Sequence, residues 1–289
     1  MRNLLILRDV MKSNVMKSLF FQLKIICITL VVIPLIVAGS AVAQNLTPPS
    51  PWGGKRMLKE FIKEEMVYPD AALKKKVEGT VVFSFVVNKD GSVSDLKITQ
   101  SVSNDIDNEA IRIFRKILWN PATRIGKPVN YVTTFEIKFN IKKYKKMCKA
   151  RGYTKINYPY EPVDKSDKIY SFSEVTRSPT PVFSSRDYNF SSFIANNLKY
   201  PEAAFKQAVS GVVKLQFVVE PSGRISNIVT KKALGAGCTE EAIRVVKLLR
   251  WNPGIHNTEA VRTFMTIEIA FNVADKTVKG KIPTPGQVY

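Results

Sequence analysis

Apolar and polar residues alternate over "TVVFSFVVN", Thr80 to Asn88, placing Val81, Phe83, Phe85 and Val87 on one face. "VVKLQFVVE", Val212 to Glu220, does the same with Val213, Leu215, Phe217 and Val219, and turns Lys214 and Gln216 the other way. Both runs predict half-buried strands. Each leads into a turn, "NKDGS" or "EPSGR", with Gly91 or Gly223 where a hairpin needs positive φ. A second strand follows, to about Gln100 and Lys231. Its alternation slips between Val93 and Leu96, and again between Ile225 and Ile228, which predicts a bulge. The period then lengthens. Ala110, Ile111, Phe114, Ile117 and Leu118 form a helical stripe, repeated by Ala242, Ile243, Val246 and Leu249. Asp107 and Thr239 are the expected N-caps. The helix should stop at Trp119-Asn120-Pro121 and Trp251-Asn252-Pro253, because the residue before proline is pushed out of the α region. Alternation returns in a third strand: Phe135, Ile137, Phe139, Ile141, and Ile267, Ile269, Phe271, Val273.

These pairs share one offset. Residues 61–140 laid on 193–272 without a gap give 28 identities in 80 pairs, which marks a duplicated unit. Tyr68-Pro69 recurs as Tyr200-Pro201, Gly79 as Gly211, Gly91 as Gly223, and "EAIR" at Glu109 as "EAIR" at Glu241. A short helical stretch precedes each Tyr-Pro, whose proline suits the first turn of a new helix. The order helix, β, β, helix, β predicts an α+β fold. Each copy should be a three-stranded antiparallel sheet, order 2-1-3, packed by two helices. Strand three then lies on an edge with its hydrogen-bonding groups free to take another strand.

The chain outside the repeats adds to this picture. "IICITLVVIPLIVA", Ile25 to Ala38, follows a basic stretch and precedes small residues at Ala41 and Ala43. That pattern describes an export signal over 1–43, cut after Ala43. The alternative is an inner-membrane anchor over residues 19–38. Of the net charge of +20, +16 remains once 1–43 is removed, so an acidic partner is favoured. Much of this charge heads the linker, residues 145–181, as a solvated strand end or as a contact for an acidic surface. The expected domains are 52–144 and 182–274, with a tail at 275–289. Cys148 and Cys238 read as unpaired thiols. One histidine, His256, and no C-x-x-C argue against a metal site. No cofactor motif and no nucleophile–base set is present, so an enzyme is not expected. Glu109 and Glu241 are read as acids favouring a helix N-terminus.

Y-P-x-A-A, the G-x-V strand, the glycine turn, the E-A-I-R helix, W-x-P and the closing alternating strand together resemble the TonB C-terminal domain. "PPSPWGG" ahead of copy one is similar to a lead-in of one subgroup. The resemblance implies periplasmic proteins that carry energy from the ExbB–ExbD motor to outer-membrane receptors. It also implies that the third strand takes a receptor segment, the TonB box, as an added strand. By position that edge is 132–140 and 264–272, with Thr134, Glu136, Lys138, Thr266, Glu268 and Asn272 outward. Each is also an ordinary solvent-facing strand position. Two features depart from a transducer: the cleavable signal, and the lack of a long Pro-Lys or Pro-Glu spacer before copy one. ExbB–ExbD contact is therefore expected only if the chain is anchored. The competing reading is an envelope scaffold that binds peptidoglycan or another periplasmic protein. Nucleic acid would suit the charge but not the export signal. Tyr68, Pro69, Gly79, Gly91, Trp119 and Pro121, with Tyr200, Pro201, Gly211, Gly223, Trp251 and Pro253, are read as structural.

Overall fold

The computed structural model describes residues 45–184, 189–274 and 277–281, with no side-chain account of 277–279 or 281. The expected signal or anchor, 1–43, lies outside the described residues. The chain divides into two compact units. The smaller is a sheet in which β6 (Ala122–Arg124) pairs with β1 (Leu46–Thr47) on one side and β7 (Lys127–Val129) on the other. The larger, from Pro49 to Pro121 and from Asn130 onward, contains both repeats.

Copy one runs β2 (Ser50–Pro51), α1 (Gly54–Glu65), α2 (Asp70–Lys74), β3 (Gly79–Val87), β4 (Val93–Gln100), α3 (Asn104–Arg115), β5 (Trp119–Asn120) and β8 (Tyr131–Phe139). Its sheet order is β4-β3-β8, antiparallel throughout, which is the expected 2-1-3. α4 (Ile141–Arg151) follows, then β9 (Ile169–Tyr170) and β10 (Thr180–Val182). Copy two runs α5 (Phe190–Asn197), α6 (Glu202–Lys206), β11 (Gly211–Val219), β12 (Ile225–Lys232), α7 (Cys238–Val246), β13 (Arg250–Asn252), β14 (Gly254–His256), β15 (Glu259–Asn272) and β16 (Thr277–Lys281). Its order β12-β11-β15 is again 2-1-3.

The alternating residues Val81, Phe83, Phe85, Val87 and Val213, Leu215, Phe217, Val219 are all buried, each set in its own core. The predicted slips are bulges. The register shifts between Ser84 and Val86 and between Gln216 and Val218, opposite Asp95 and Asn227 at φ 53° and 50°. Gly91 and Gly223 sit at φ 86° and 73°. A Cβ there would stand 2.6 Å from the Trp119 carbonyl oxygen and 2.3 Å from that of Trp251, so the turn glycine and the W-N-P motif are one device. The tryptophan rings are buried in their cores, 5.0 Å (Trp119 to Phe85) and 5.6 Å (Trp251 to Phe217) between centroids. Tyr68 and Tyr200 each donate a 2.5 Å hydrogen bond to the carbonyl of Val77 or Val209, closing the short helix after Tyr-Pro.

Several local expectations need correcting. The E-A-I-R helices, α3 and α7, begin earlier, with N-cap positions at Ser103 and Gly237, because the loop before each is closed from inside the helix. Asp107 accepts from the Val102 amide and the Ser101 hydroxyl, and Thr239 exchanges two bonds with Leu234. The helices stop at Arg115 and Val246, before W-N-P. The tryptophan and asparagine are instead strands, paired with the segment preceding each repeat: β5 with β2, and β13 with β10. Pro69 and Pro201 occupy N-cap positions rather than first turns. Ile141 and Val273 fall outside the third strands. The lysine run expected as strand end and linker is α4, whose Tyr144 and Cys148 are buried against copy one. Cys148 and Cys238 are free and buried, as expected.

Candidate partner-binding edge

The E-A-I-R motif ties its helix in each copy to the chain leaving that copy's first helix. Glu109 accepts from the Val67 amide at 2.7 Å, and Arg112 donates to Glu109 and to the Glu65 carbonyl. Glu241 and Arg244 repeat this on Lys199 and Asn197. These carboxylates therefore clamp the chain ahead of Tyr-Pro, a stronger role than dipole compensation.

β8 pairs with β3 along its whole length, from Gly79–Phe139 to Val87–Tyr131. Among the described residues nothing pairs with its other side. Thr134, Glu136 and Lys138 lie opposite Ser84, Val82 and Thr80 and are exposed, as is Val132 at 67%. In an antiparallel pair, every second residue turns both its N–H and C=O away from its neighbour. Nine residues of β8 therefore present roughly four such positions.

Copy two differs. β16 pairs Thr277 to Lys281 antiparallel with Asn272 to Glu268, and β9 pairs Ile169 and Tyr170 in parallel with Arg262 and Thr263. β14 pairs with Glu259 to Val261. The edge expected to be free over 264–272 is thus occupied by the chain itself from 268 onward. Glu268, expected outward for a partner, forms a 3.2 Å ion pair with Lys214. Asn272 accepts from the Ala274 amide. Thr266 is half-buried, opposite Gln216, in the short gap between the two added strands. Two stretches produce this, one from the expected linker and one from the expected tail. Neither has an alternation long enough to announce a strand.

The copies join through the β12 bulge. Asn227 accepts from the Leu118 amide at 2.9 Å and donates to the Lys116 carbonyl at 3.0 Å. Beneath it Glu220 is buried against Arg262 at 3.0 Å, with the Lys116 ammonium 3.9 Å away; Lys116 also reaches Glu65 at 2.5 Å. Burial alone would raise the Glu220 pKa, but Arg262 and Lys116 outweigh it and hold the carboxyl below its usual range. At the positions equivalent to Glu220, Ser226, Asn227 and Arg262, copy one carries Asn88, Ser94, Asp95 and Asn130, all at least partly exposed. The contact is head-to-tail, so one bulge face is covered and the other faces solvent.

Among the described residues no helix is long and apolar enough to cross a membrane. The chain matches the family described as Gram-negative bacterial TonB protein C-terminal twice, over residues 64–141 and 196–273. Of the solved structures, it is similar to the solution structure of the Helicobacter pylori TonB C-terminal domain (residues 179–285). The identity is 21%, over 30% of this chain and 78% of that one, with a TM-score of 0.23. No curated protein matches.

Proposed function

Since the chain belongs to the family of the Gram-negative bacterial TonB protein C-terminal domain, in two copies, we propose that it takes one extended partner segment as an added strand on β8. The setting is TonB-dependent transport in the cell envelope. The observation that carries the reading is the contrast between the copies: among the described residues the outer edge of β8 is unpaired along nine residues, whereas that of β15 is paired by β16 and β9. The partner class is the TonB-box segment of an outer-membrane receptor. Main-chain hydrogen bonds would supply affinity, and the row Val132, Thr134, Glu136, Lys138 would supply selectivity. Copy two acts as a buttress that holds copy one through the buried Glu220–Arg262–Lys116 cluster.

The test is titration of the whole chain with a synthetic TonB-box peptide, and with the same peptide N-methylated at alternate residues. The unmodified peptide should bind one per chain. Methylation in one of the two alternating phases should abolish binding, because it removes the donors that face β8. Equal binding of both phases would overturn the strand-addition reading. A peptidoglycan pull-down in parallel tests the scaffold reading, which predicts retention that the peptide does not compete.

A further inference from the structure

A cleft of about 480 Å³ lies between the copies, away from β8, and cations converge on it. Copy one contributes Lys63 and Glu64, and the segment that follows it Arg151 and Tyr153. Copy two contributes Arg224, Lys247 and Arg250. Most of these charges are engaged. Lys247 is ion-paired with Glu60. Arg151 spends its guanidinium on the carbonyls of Lys63, Glu64, Met66 and Tyr153. Arg224 is not satisfied in this way. Its guanidinium stacks on the Tyr153 ring, 3.7 Å from the centroid, and its Nη1 is buried without a hydrogen-bond partner among the described residues. Burial, and the positive charge of Arg250 beside it, hold its pKa below the usual arginine value. The nearby carboxylates Glu64 and Glu65 pull the other way without cancelling this.

Arg224 and Arg250 line the same cleft, and the repeat does not need them to fold. Copy one shows this directly, since it makes the same turn and strand with Ser92 and Leu118 at the equivalent positions. The lining carries Lys63, Arg151, Arg224, Lys247 and Arg250 against Glu60 and Glu64, a surplus of three positive charges. A carboxylate would neutralise one of them; a phosphate dianion matches the surplus better. It also offers the several acceptor oxygens that a guanidinium fork takes. The geometry points to a phosphate-binding site in this cleft, with Arg224 and Arg250 as the two direct ligands and Lys63 at the rim.

The probe is inorganic phosphate, titrated calorimetrically into the whole chain at low salt. We expect one saturable site. Arg224→Gln combined with Arg250→Gln should weaken it at least ten-fold. Lys145→Gln with Lys146→Gln, on α4 and outside the cleft lining, should leave it unchanged. If the double arginine variant fails to fold, the exposed Arg250→Gln alone must still weaken binding. Sedimentation with phosphatidylglycerol against phosphatidylcholine vesicles identifies the source. An excess on phosphatidylglycerol that depends on Arg224 and Arg250 assigns a lipid headgroup, and phosphate binding without that excess assigns a soluble phosphate compound. Absence of saturable phosphate binding, or equal weakening by the two variant pairs, would overturn the proposal.

Discussion

Asn227→Ala is expected to loosen the joint between the copies. Asn227 stands at φ 50°, and a non-glycine, non-asparagine residue in the left-handed region costs roughly 1–2 kcal/mol. Its side chain also satisfies the Leu118 amide, which would be left without an acceptor, at a cost of about 1–3 kcal/mol. The Lys116 carbonyl loses one bond but keeps that from Arg262, so it adds little. The sum is about 2–5 kcal/mol. Asp95→Ala in copy one provides the control. It has the same backbone geometry at φ 53° but is exposed, and its side chain accepts only from the neighbouring Ser94 hydroxyl, so little beyond the backbone term of roughly 1–2 kcal/mol remains. Urea unfolding followed by tryptophan fluorescence and by circular dichroism measures both, since Trp119 and Trp251 report one core each. Asn227→Ala should shift the midpoint further than Asp95→Ala. Equal shifts for the two variants would refute the assignment of Asn227 as the joint.

Three other outcomes follow from the same geometry. Because the Glu220 pKa is depressed in the folded chain, its stabilising contribution is present above the unfolded carboxylate pKa and is lost as pH falls through the lower folded value; Glu220→Gln should flatten acid unfolding, measured by circular dichroism. Burial raises the Tyr68 phenol to about 12, so ultraviolet titration should find it unionised well above pH 10, and the stability it confers is lost as pH rises from the unfolded value through the folded one. Gly280→Val should release β16, because a Cβ there would stand 2.5 Å from the Phe190 ring and 2.8 Å from Ile194; peptide titration should then count two sites per chain instead of one.

The repeated core was legible because its information is local and periodic. Alternation at Val81 to Val87, the glycine in the turn and the stripe on α3 each constrain backbone and burial at once. The 2-1-3 order then followed from connectivity. Helix boundaries were less legible, because Asp107 and Thr239 are good capping residues that here close the preceding loop. The W-N-P motif read as a helix stop because proline forbids helix. Its actual role depends on a strand partner some seventy positions away, which no local pattern encodes. The same limit applies to the edge. Thr134, Glu136 and Lys138 lie where the alternation puts them, on an open strand. Whether Glu268 and Asn272 do so depends on β16, a five-residue strand whose sequence, "TVKGK", reads as a polar tail. Arg224 and Arg250 carried a signal that went unread: each breaks the repeat at a position where copy one is uncharged.

Amide hydrogen exchange on the whole chain, with and without TonB-box peptide, tests most directly whether β8 alone receives the partner. Slowed exchange confined to residues 131–139, with 268–272 already protected before peptide is added, is the predicted result. Protection that arises along β15 instead, or that leaves 131–139 unchanged at saturation, would contradict it.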